Sequence, residues 1–471
     1  MAMRGIGAGW LTRLATLVPV RVQPAAVAVL LFGIALALGF YQIGHKSVWY
    51  DEAVSIGYAR APLDVAWAKV TGQDSNGALY YALLWGWVHV FGFGEGATRA
   101  LSAIFGAGVV AAVFLVGRHL FSAWIGAGGA LLLAVQGFFL QYAQEARSYT
   151  LAMLLASLAT YFLLRGVDGS RRTWWIAYTL TLAAGVYAHL FVGFVGVAHV
   201  GWVMWSHRVH WKVALVSAGS AAILSAPLVA ALLLRPGPQW QALLSGESVR
   251  YVITEMTSGA WPVADIFEGM VVLGVVLAVN RRDHRMGLLL AWLLVPIAVM
   301  LAISSVRPFI TPRYVLVSLP ALALLTSAAA LSVGRRQLRA GLYGVLFGIS
   351  LFGMLTWYTA DRKHDWRSAT QLVGNLSGPD DGLIVFPGYE HVALRYYVDR
   401  LGLSVPAPNA LDAGQADTVW LVVHETPGID DPRLPALISE LERTHVRVGE
   451  PHAFDYIRVT EWRLTVLMPP A

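Results

Sequence analysis

Eleven apolar runs dominate this sequence. They lie near 24–44, 98–117, 124–142, 149–164, 173–189, 191–206, 212–234, 265–280, 287–304, 314–332 and 340–359. A helical membrane span needs about 20 predominantly apolar residues, because only a helix or a closed barrel satisfies its own backbone in lipid. A chain with this pattern is expected to fold as a mainly α polytopic membrane protein of about eleven transmembrane helices. Composition agrees: 57% of the 471 residues are hydrophobic and 13% charged, about half the charge of an ordinary soluble domain. A soluble enzyme and a disordered chain are excluded. The chain has no cysteine, which excludes disulfides, cysteine-held zinc, iron–sulfur clusters and thiol nucleophiles. The first run lacks a small-residue cleavage site and reads as a retained span.

Basic residues set the orientation. They cluster at Arg4/Arg13/Arg21, Arg118, Arg165/Arg171/Arg172, Arg208/Lys212, Arg281/Arg282/Arg285 and Arg335/Arg336/Arg339. Cytoplasmic loops carry such an excess. The N-terminus is therefore expected inside and, after eleven crossings, the C-terminus outside. The expected location is the cytoplasmic (inner) membrane of a bacterium. The net positive charge follows topology, so no nucleic-acid partner is expected. One segment, 78–94, is apolar enough to cross, but a crossing there would turn every later basic loop outward. It is expected to lie flat at, or dip into, the outer interface, where Tyr80, Tyr81, Trp85, Trp87 and His89 suit the headgroup level.

Residues 1–359 thus form a transmembrane module, with outward loops at 45–97 and 235–264. Residues 360–471 form a small extracytoplasmic α/β domain. In that tail, Gly382–Phe386 and Thr418–Val423 read as buried strands, and 390–400 and 433–443 have helical spacing. The tail has no glycine-rich phosphate turn and no metal-ligand spacing. No internal repeat is apparent. Glycine-rich stretches such as 124–129 read as close helix packing.

Ionisable groups beside the apolar runs are the candidate chemistry. Ser47-Val-Trp-Tyr50-Asp51-Glu52-Ala53 follows the first span. A carboxylate there can take the proton of an attacking hydroxyl. Two adjacent carboxylates can instead hold a divalent cation, or simply face water. Gln141-Tyr-Ala-Gln-Glu145-Ala-Arg147-Ser-Tyr149 sits at the next outward turn. There Arg147 can grip a phosphate bidentately, or pair with Glu145 to close the turn. Tyr187-Ala-His189 ends a later span. Ser305-Val-Arg307-Pro-Phe-Ile-Thr-Pro-Arg313-Tyr314 is an outward turn stiffened by two prolines, with two guanidinium groups. Arg99 opens a span on the same side. The acids and arginines come from four separate turns on one face of the membrane, a distribution suited to group transfer with an anionic leaving group.

These residues carry a resemblance. Trp49-Tyr-Asp51-Glu52-Ala, Leu79-Tyr-Tyr with Phe91-Gly and Arg99, Tyr142-Ala-Gln-Glu145-Ala-Arg147-Ser-Tyr149, Tyr187-Ala-His189, Arg313-Tyr314 with Pro320, and Asp365-Trp366-Arg367 occur in order along most of the first 370 residues. In this the chain resembles the GT-C superfamily of membrane glycosyltransferases, in the branch of protein O-mannosyltransferase-like and aminoarabinose-transferase-like proteins. The resemblance implies inverting transfer at the outer face, from a polyprenyl-phosphate-linked sugar to a glycan, lipid or protein hydroxyl. It implies Asp51 as base with Glu52 as its partner, and Arg147 and Arg313, with Arg99 and Arg307, on the donor phosphate. Glu145, Tyr149, His189 and Tyr50 support them. A divalent cation, if used, is expected at Asp51 and Glu52. The family's His-Pro-Pro before Leu-Tyr-Tyr is here Asp74-Ser-Asn76-Gly77-Ala78. The rival expectations are a transporter or flippase of a lipid-linked or anionic substrate, and a membrane-anchored binding protein.

Overall fold

The computed structural model describes residues 23–72, 74–169, 171–233, 244–257, 283–306, 308–360, 363–410, 415–425 and 431–465, with positions 269, 272, 275 and 276. The apolar runs fold as helices, as their length and composition dictate. After α1 (Pro24–Phe40) come three helices of the first loop, α2 (Tyr50–Arg60), α3 (Leu63–Gly72) and α4 (Ala78–Phe91). The bundle continues with α5 (Glu95–Leu120), α6 (Ala123–Ala134), α7 (Gly137–Ala143), α8 (Tyr149–Gly169), α9 (Arg172–Ala188), α10 (Val192–Ser206), α11 (Trp211–Leu233) and α12 (Gly246–Thr257). It closes with α13 (His284–Ser304), a 3-10 turn at Pro312–Ser318, α14 (Leu319–Leu331) and α15 (Arg336–Thr359). Among the described residues, six helices are long and apolar enough to cross a membrane, or seven if the bent pair α6–α7 is one span. Three shorter apolar helices, α1, α4 and α10, accompany them. Most of the expected span at 265–280, the N-terminal basic cluster and more than half of the loop 235–264 lie outside the described residues. The chain is a multi-pass membrane protein.

The run 124–142 differs from a straight span. It breaks between α6 and α7 with a bend of 68°. The cause is Gln136. Its Oε1 accepts from Phe139 N–H at 2.6 Å and caps α7, while its Nε2 donates to the Met256 carbonyl at 3.0 Å. A side-chain amide placed mid-run serves a new helix start better than it continues the old one. The glycines of this region do pack closely. A Cβ on Gly126 would meet the Phe114 carbonyl at 2.5 Å and Arg118 N at 2.6 Å, so α6 rests backbone-on-backbone against α5.

Beyond α15 come α16 (Trp366–Leu376), β1 (Gly382–Phe386), α17 (His391–Leu401), β2 (Thr418–His424), α18 (Arg433–Leu441), β3 (His445–Phe454) and β4 (Ile457–Leu464). The sheet order is β1-β2-β4-β3, with β1 parallel to β2 and the other pairings antiparallel. The two expected strands and both helices are present. The hairpin β3–β4 was not visible as an apolar pattern, because β3 is an edge strand whose side chains are mostly exposed. The core of this unit is not self-contained. Val48, Ala53 and Ile56 from the approach to α2 and its first turns pack with Trp366, Leu383, Tyr397, Trp420 and Val459. The segment carrying the Asp-Glu pair is therefore seated on the C-terminal sheet unit as well as on the bundle.

Candidate active site

Helix α2 begins at Tyr50, so Asp51 and Glu52 fall in its first turn, where the helix dipole favours negative charge. Successive residues on a helix point in directions about 100° apart. The two acids consequently part company.

Glu52 turns inward and is fully buried. Arg99 of α5 meets it through two parallel hydrogen bonds, Nε to Oε1 at 2.7 Å and Nη2 to Oε2 at 2.8 Å. Lys363 donates to Oε2 at 2.8 Å and Ala146 N–H to Oε1 at 3.0 Å. Burial alone would raise this carboxyl; the charges of Arg99 and Lys363 reverse that and hold it at about 2. Arg99 spends its remaining donors on the carbonyls of Ile43, Lys46 and Ser47 at 3.0, 2.7 and 2.9 Å. Its five N–H groups are thus consumed inside the protein. The expectation of Arg99 on a donor phosphate is corrected: it is a buried clamp that ties α2 to α5. Glu52 is likewise a structural anion. Turning it toward a cation shared with Asp51 would strand two buried positive charges. The acid pair does not fit a joint cation site, and no cluster of three potential ligands occurs among the described residues.

Glu145 is buried beside this clamp, with Lys363 Nζ 3.4 Å from Oε1 and no partner for Oε2 among the described residues. Burial raises its carboxyl, Lys363 opposes this, and the nearby negative charges of Glu52 and Asp51 raise it further. Lys363 was missed in the sequence, where it sits in a polar stretch. Its signal was rarity: it is one of four lysines in the chain and the sole one after residue 359.

Asp51 stays at the edge of a cleft, with 13% of its side chain exposed. Arg313 Nη1 lies 3.0 Å from its Oδ2. Arg313 comes from the 3-10 turn that opens α14, and its guanidinium also lies over the Trp49 ring, 5.7 Å from the centroid. On the other side, Arg147 Nη1 donates to Tyr81 OH at 2.8 Å and Ser55 Oγ at 3.3 Å, and touches the Asp51 carbonyl at 3.5 Å. Its Nε is buried without a partner among the described residues. The Tyr81 and Tyr149 rings each lie 5.9 Å from the Arg147 guanidinium. Asp74, the residue at the departure from the family's His-Pro-Pro, accepts from Tyr81 OH and lies 3.6 Å from Arg147 Nη1. Its neighbour Asn76 accepts from Leu190 N–H at 2.8 Å and so reaches the turn of His189. Asp74 and Tyr81 join the site in roles the sequence pattern did not give them: Tyr81 read as an interfacial ring, and Asp74 is one carboxylate among several in a long polar loop.

His189 is 2% exposed, packs with tilted rings beside Tyr149 and Tyr314 at centroid distances of 5.7 Å, and has an Nε2 without a partner among the described residues. Tyr50 packs edge-on against Tyr389 of the C-terminal unit at 5.0 Å. Burial, then the charges of Asp51 and Glu390, raise its phenol. Arg307 lies outside the described residues. The structure thus brings together Asp51, Arg147, Arg313, Glu145, Tyr149, His189 and Tyr50, and turns Glu52 and Arg99 to another task. The arrangement offers one partly accessible carboxylate between two guanidinium groups, one with an unspent N–H.

The comparisons with known proteins agree in kind. The family model for dolichyl-phosphate-mannose-protein mannosyltransferase matches residues 75–233. No curated protein matches the sequence significantly. Among solved structures, the chain resembles apo ArnT from Cupriavidus metallidurans, with a TM-score of 0.57 at 14% identity over 94% of this chain and 99% of that one. The same protein bound to undecaprenyl phosphate matches with a TM-score of 0.55 at 14% identity over the same shares. The oligosaccharyltransferase of Archaeoglobus fulgidus, tethered to an acceptor peptide, matches with a TM-score of 0.53 at 10% identity over 84% of this chain and 65% of that one. The fold is GT-C-like, as the motif resemblance implied.

Proposed function

We propose that this protein is an integral membrane glycosyltransferase. It moves a sugar from a polyprenyl-phosphate donor to an acceptor hydroxyl at the outer face of the membrane, with inversion. The observation that carries this reading is the Asp51–Arg313 ion pair with Arg147 beside it, three residues brought from the first loop, the 3-10 turn before α14 and the turn before α8. The likeness to a protein bound to undecaprenyl phosphate supports the donor class. In this reading the protein makes eleven crossings with its C-terminal sheet unit outside.

In the resting site Arg313 neutralises Asp51. A donor phosphate entering the cleft offers both guanidinium groups a better partner, because Arg and phosphate form parallel charge-assisted hydrogen bonds. Drawn toward the phosphate, Arg313 releases Asp51 as a base. The acceptor hydroxyl gives its proton to Asp51 and its oxygen bonds to the anomeric carbon. The anomeric C–O bond to phosphate breaks on the opposite face, and polyprenyl phosphate leaves with the electron pair. Arg147 and Arg313 stabilise that growing charge. No step is routed through a metal ion, since Glu52 is committed to Arg99 and Lys363 and does not form a joint cation site with Asp51.

The test is purified protein in lipid nanodiscs with a panel of polyprenyl-phosphate sugars, with and without chelator, scored for release of polyprenyl phosphate. Release by wild type, and a loss of about 10²–10⁴-fold in Asp51→Asn with normal membrane insertion, is the expected result. Donors that cross the bilayer intact with no bond broken would replace this reading with a transporter.

A further inference from the structure

Arg147 spends its hydrogen bonds at one corner. Nη1 donates to Tyr81 OH at 2.8 Å and to Ser55 Oγ at 3.3 Å, and touches the Asp51 carbonyl at 3.5 Å. Two N–H groups face three oxygens there, so that nitrogen is fully used. The other edge of the fork, Nε and Nη2, makes no hydrogen bond among the described residues, and Nε is buried. Arg99 shows in the same chain what such an edge holds: its Nε and Nη2 grip the two oxygens of Glu52 at 2.7 and 2.8 Å. A phosphate offers that edge two oxygens just as a carboxylate does.

The chemistry of this corner fixes the direction of its bonds. A guanidinium only donates, so Tyr81 and Ser55 accept from it. Ser55 donates its own hydroxyl proton to the Asp51 carbonyl at 2.9 Å. Tyr81 donates to Asp74 Oδ2, which also lies 3.6 Å from Arg147 Nη1. The Tyr81 ring is held from two sides. Tyr58 meets it edge-on at a ring distance of 5.3 Å, and Gly77 runs so close that a Cβ there would stand 3.1 Å from the ring. Asp74 is held by its own loop. Ser75 Oγ donates to the Val70 carbonyl of α3 at 3.2 Å, and Asn76 accepts from Leu190 N–H at 2.8 Å. The corner that grips Arg147 is therefore tied to α2, α4 and the turn before α10.

We propose that Asp74 and Tyr81 form a brace that holds Arg147 by Nη1 and so presents its Nε–Nη2 edge to the phosphate of the lipid-linked donor; both are positioning residues. This rests on the function proposed above and divides the labour between the two arginines. Arg313 must leave Asp51 to meet the phosphate, whereas Arg147 binds it from where it stands. A guanidinium fixed beforehand loses little freedom when its ligand arrives. The negative charge of Asp74 opposes an anionic ligand, but it meets Arg147 at Nη1, the corner the phosphate does not use.

The test is equilibrium binding of two probes, undecaprenyl phosphate and undecaprenol, to the full-length protein in nanodiscs. The probes differ only in the phosphate, and wild type is expected to favour the phosphate. Tyr81→Phe keeps the buried ring and removes the hydroxyl. It is expected to weaken phosphate binding about 10-fold and leave the alcohol unchanged. Asp74→Ala is expected to match it, and Asp74→Asn, which keeps an oxygen for the phenol, to retain part of the preference. In an Arg147→Lys background, where no such edge exists, Tyr81→Phe is expected to cost nothing more. Equal loss of both probes makes Tyr81 a packing residue and overturns the brace. So does a further loss in the Arg147→Lys background, or tighter phosphate binding in Asp74→Asn, which would make Asp74 a competitor of the donor. A Tyr81→Phe protein that discriminates as well as wild type removes the brace and leaves the donor class standing. A wild type that does not tell the probes apart overturns the donor class and the brace together.

Discussion

Asp51 and Glu52 are neighbours with opposite work. One keeps an exposed edge beside the Arg313 counter-charge, and the other is locked under two cations. Removing one member of a buried ion pair typically costs about 3–5 kcal/mol, because the partners are left charged and dry. Glu52→Gln is therefore expected to lower the thermal unfolding temperature sharply, while Asp51→Asn leaves it close to wild type and removes activity. Comparable melting curves for the two variants would return Glu52 to the chemistry. The same residue sets an acid limit. Its folded pKa is depressed from 4.5 to about 2, so its contribution is complete above 4.5 and is lost as pH falls toward 2. Wild-type stability is expected to decline through that window, and less steeply in Glu52→Gln, by calorimetry across pH. At this scale the sequence made Asp51, Arg147 and Arg313 legible because charge next to an apolar run is costly and needs a reason. It marked Arg99 for the same cause without revealing its role, since its carbonyl partners at 43, 46 and 47 depend on how the loop folds back. Lys363 and Asp74 sat among other charges, and only the rarity of lysine set Lys363 apart.

Among the helices, the decisive contacts are close approaches. A methyl group on Gly126 would collide with the backbone of α5, and backbone cannot swing aside. Gly126→Ala is expected to destabilise the bundle by about 1–3 kcal/mol and reduce the yield of folded protein. Gly33→Ala in α1, where nothing lies within 4 Å, is expected to be tolerated. Equal behaviour in a thermal-shift measurement would count against the packing account. Glycines between large apolar residues signal such contacts without knowledge of the partner helix, and so this feature was readable in advance. The break at Gln136 was not, because its cause is a carbonyl 120 positions away at Met256. Strands β1 and β2 were readable as short apolar runs, whereas β3 leaves most of its side chains exposed and mixes apolar with charged residues.

Across the whole molecule, the boundary near residue 360 divides the composition but not the structure. The core of the sheet unit borrows Val48, Ala53 and Ile56, and the approach to Asp51 is tied to Asp365 and Tyr397. Ending the chain after residue 362 is expected to abolish transfer and to expose the 45–72 loop to protease, though the bundle still inserts. Retained turnover would make the tail an accessory. These ties also govern the order of events during synthesis. Glu52 precedes the lysine that closes over it by 311 positions, so a partly made chain holds that acid without its second cation.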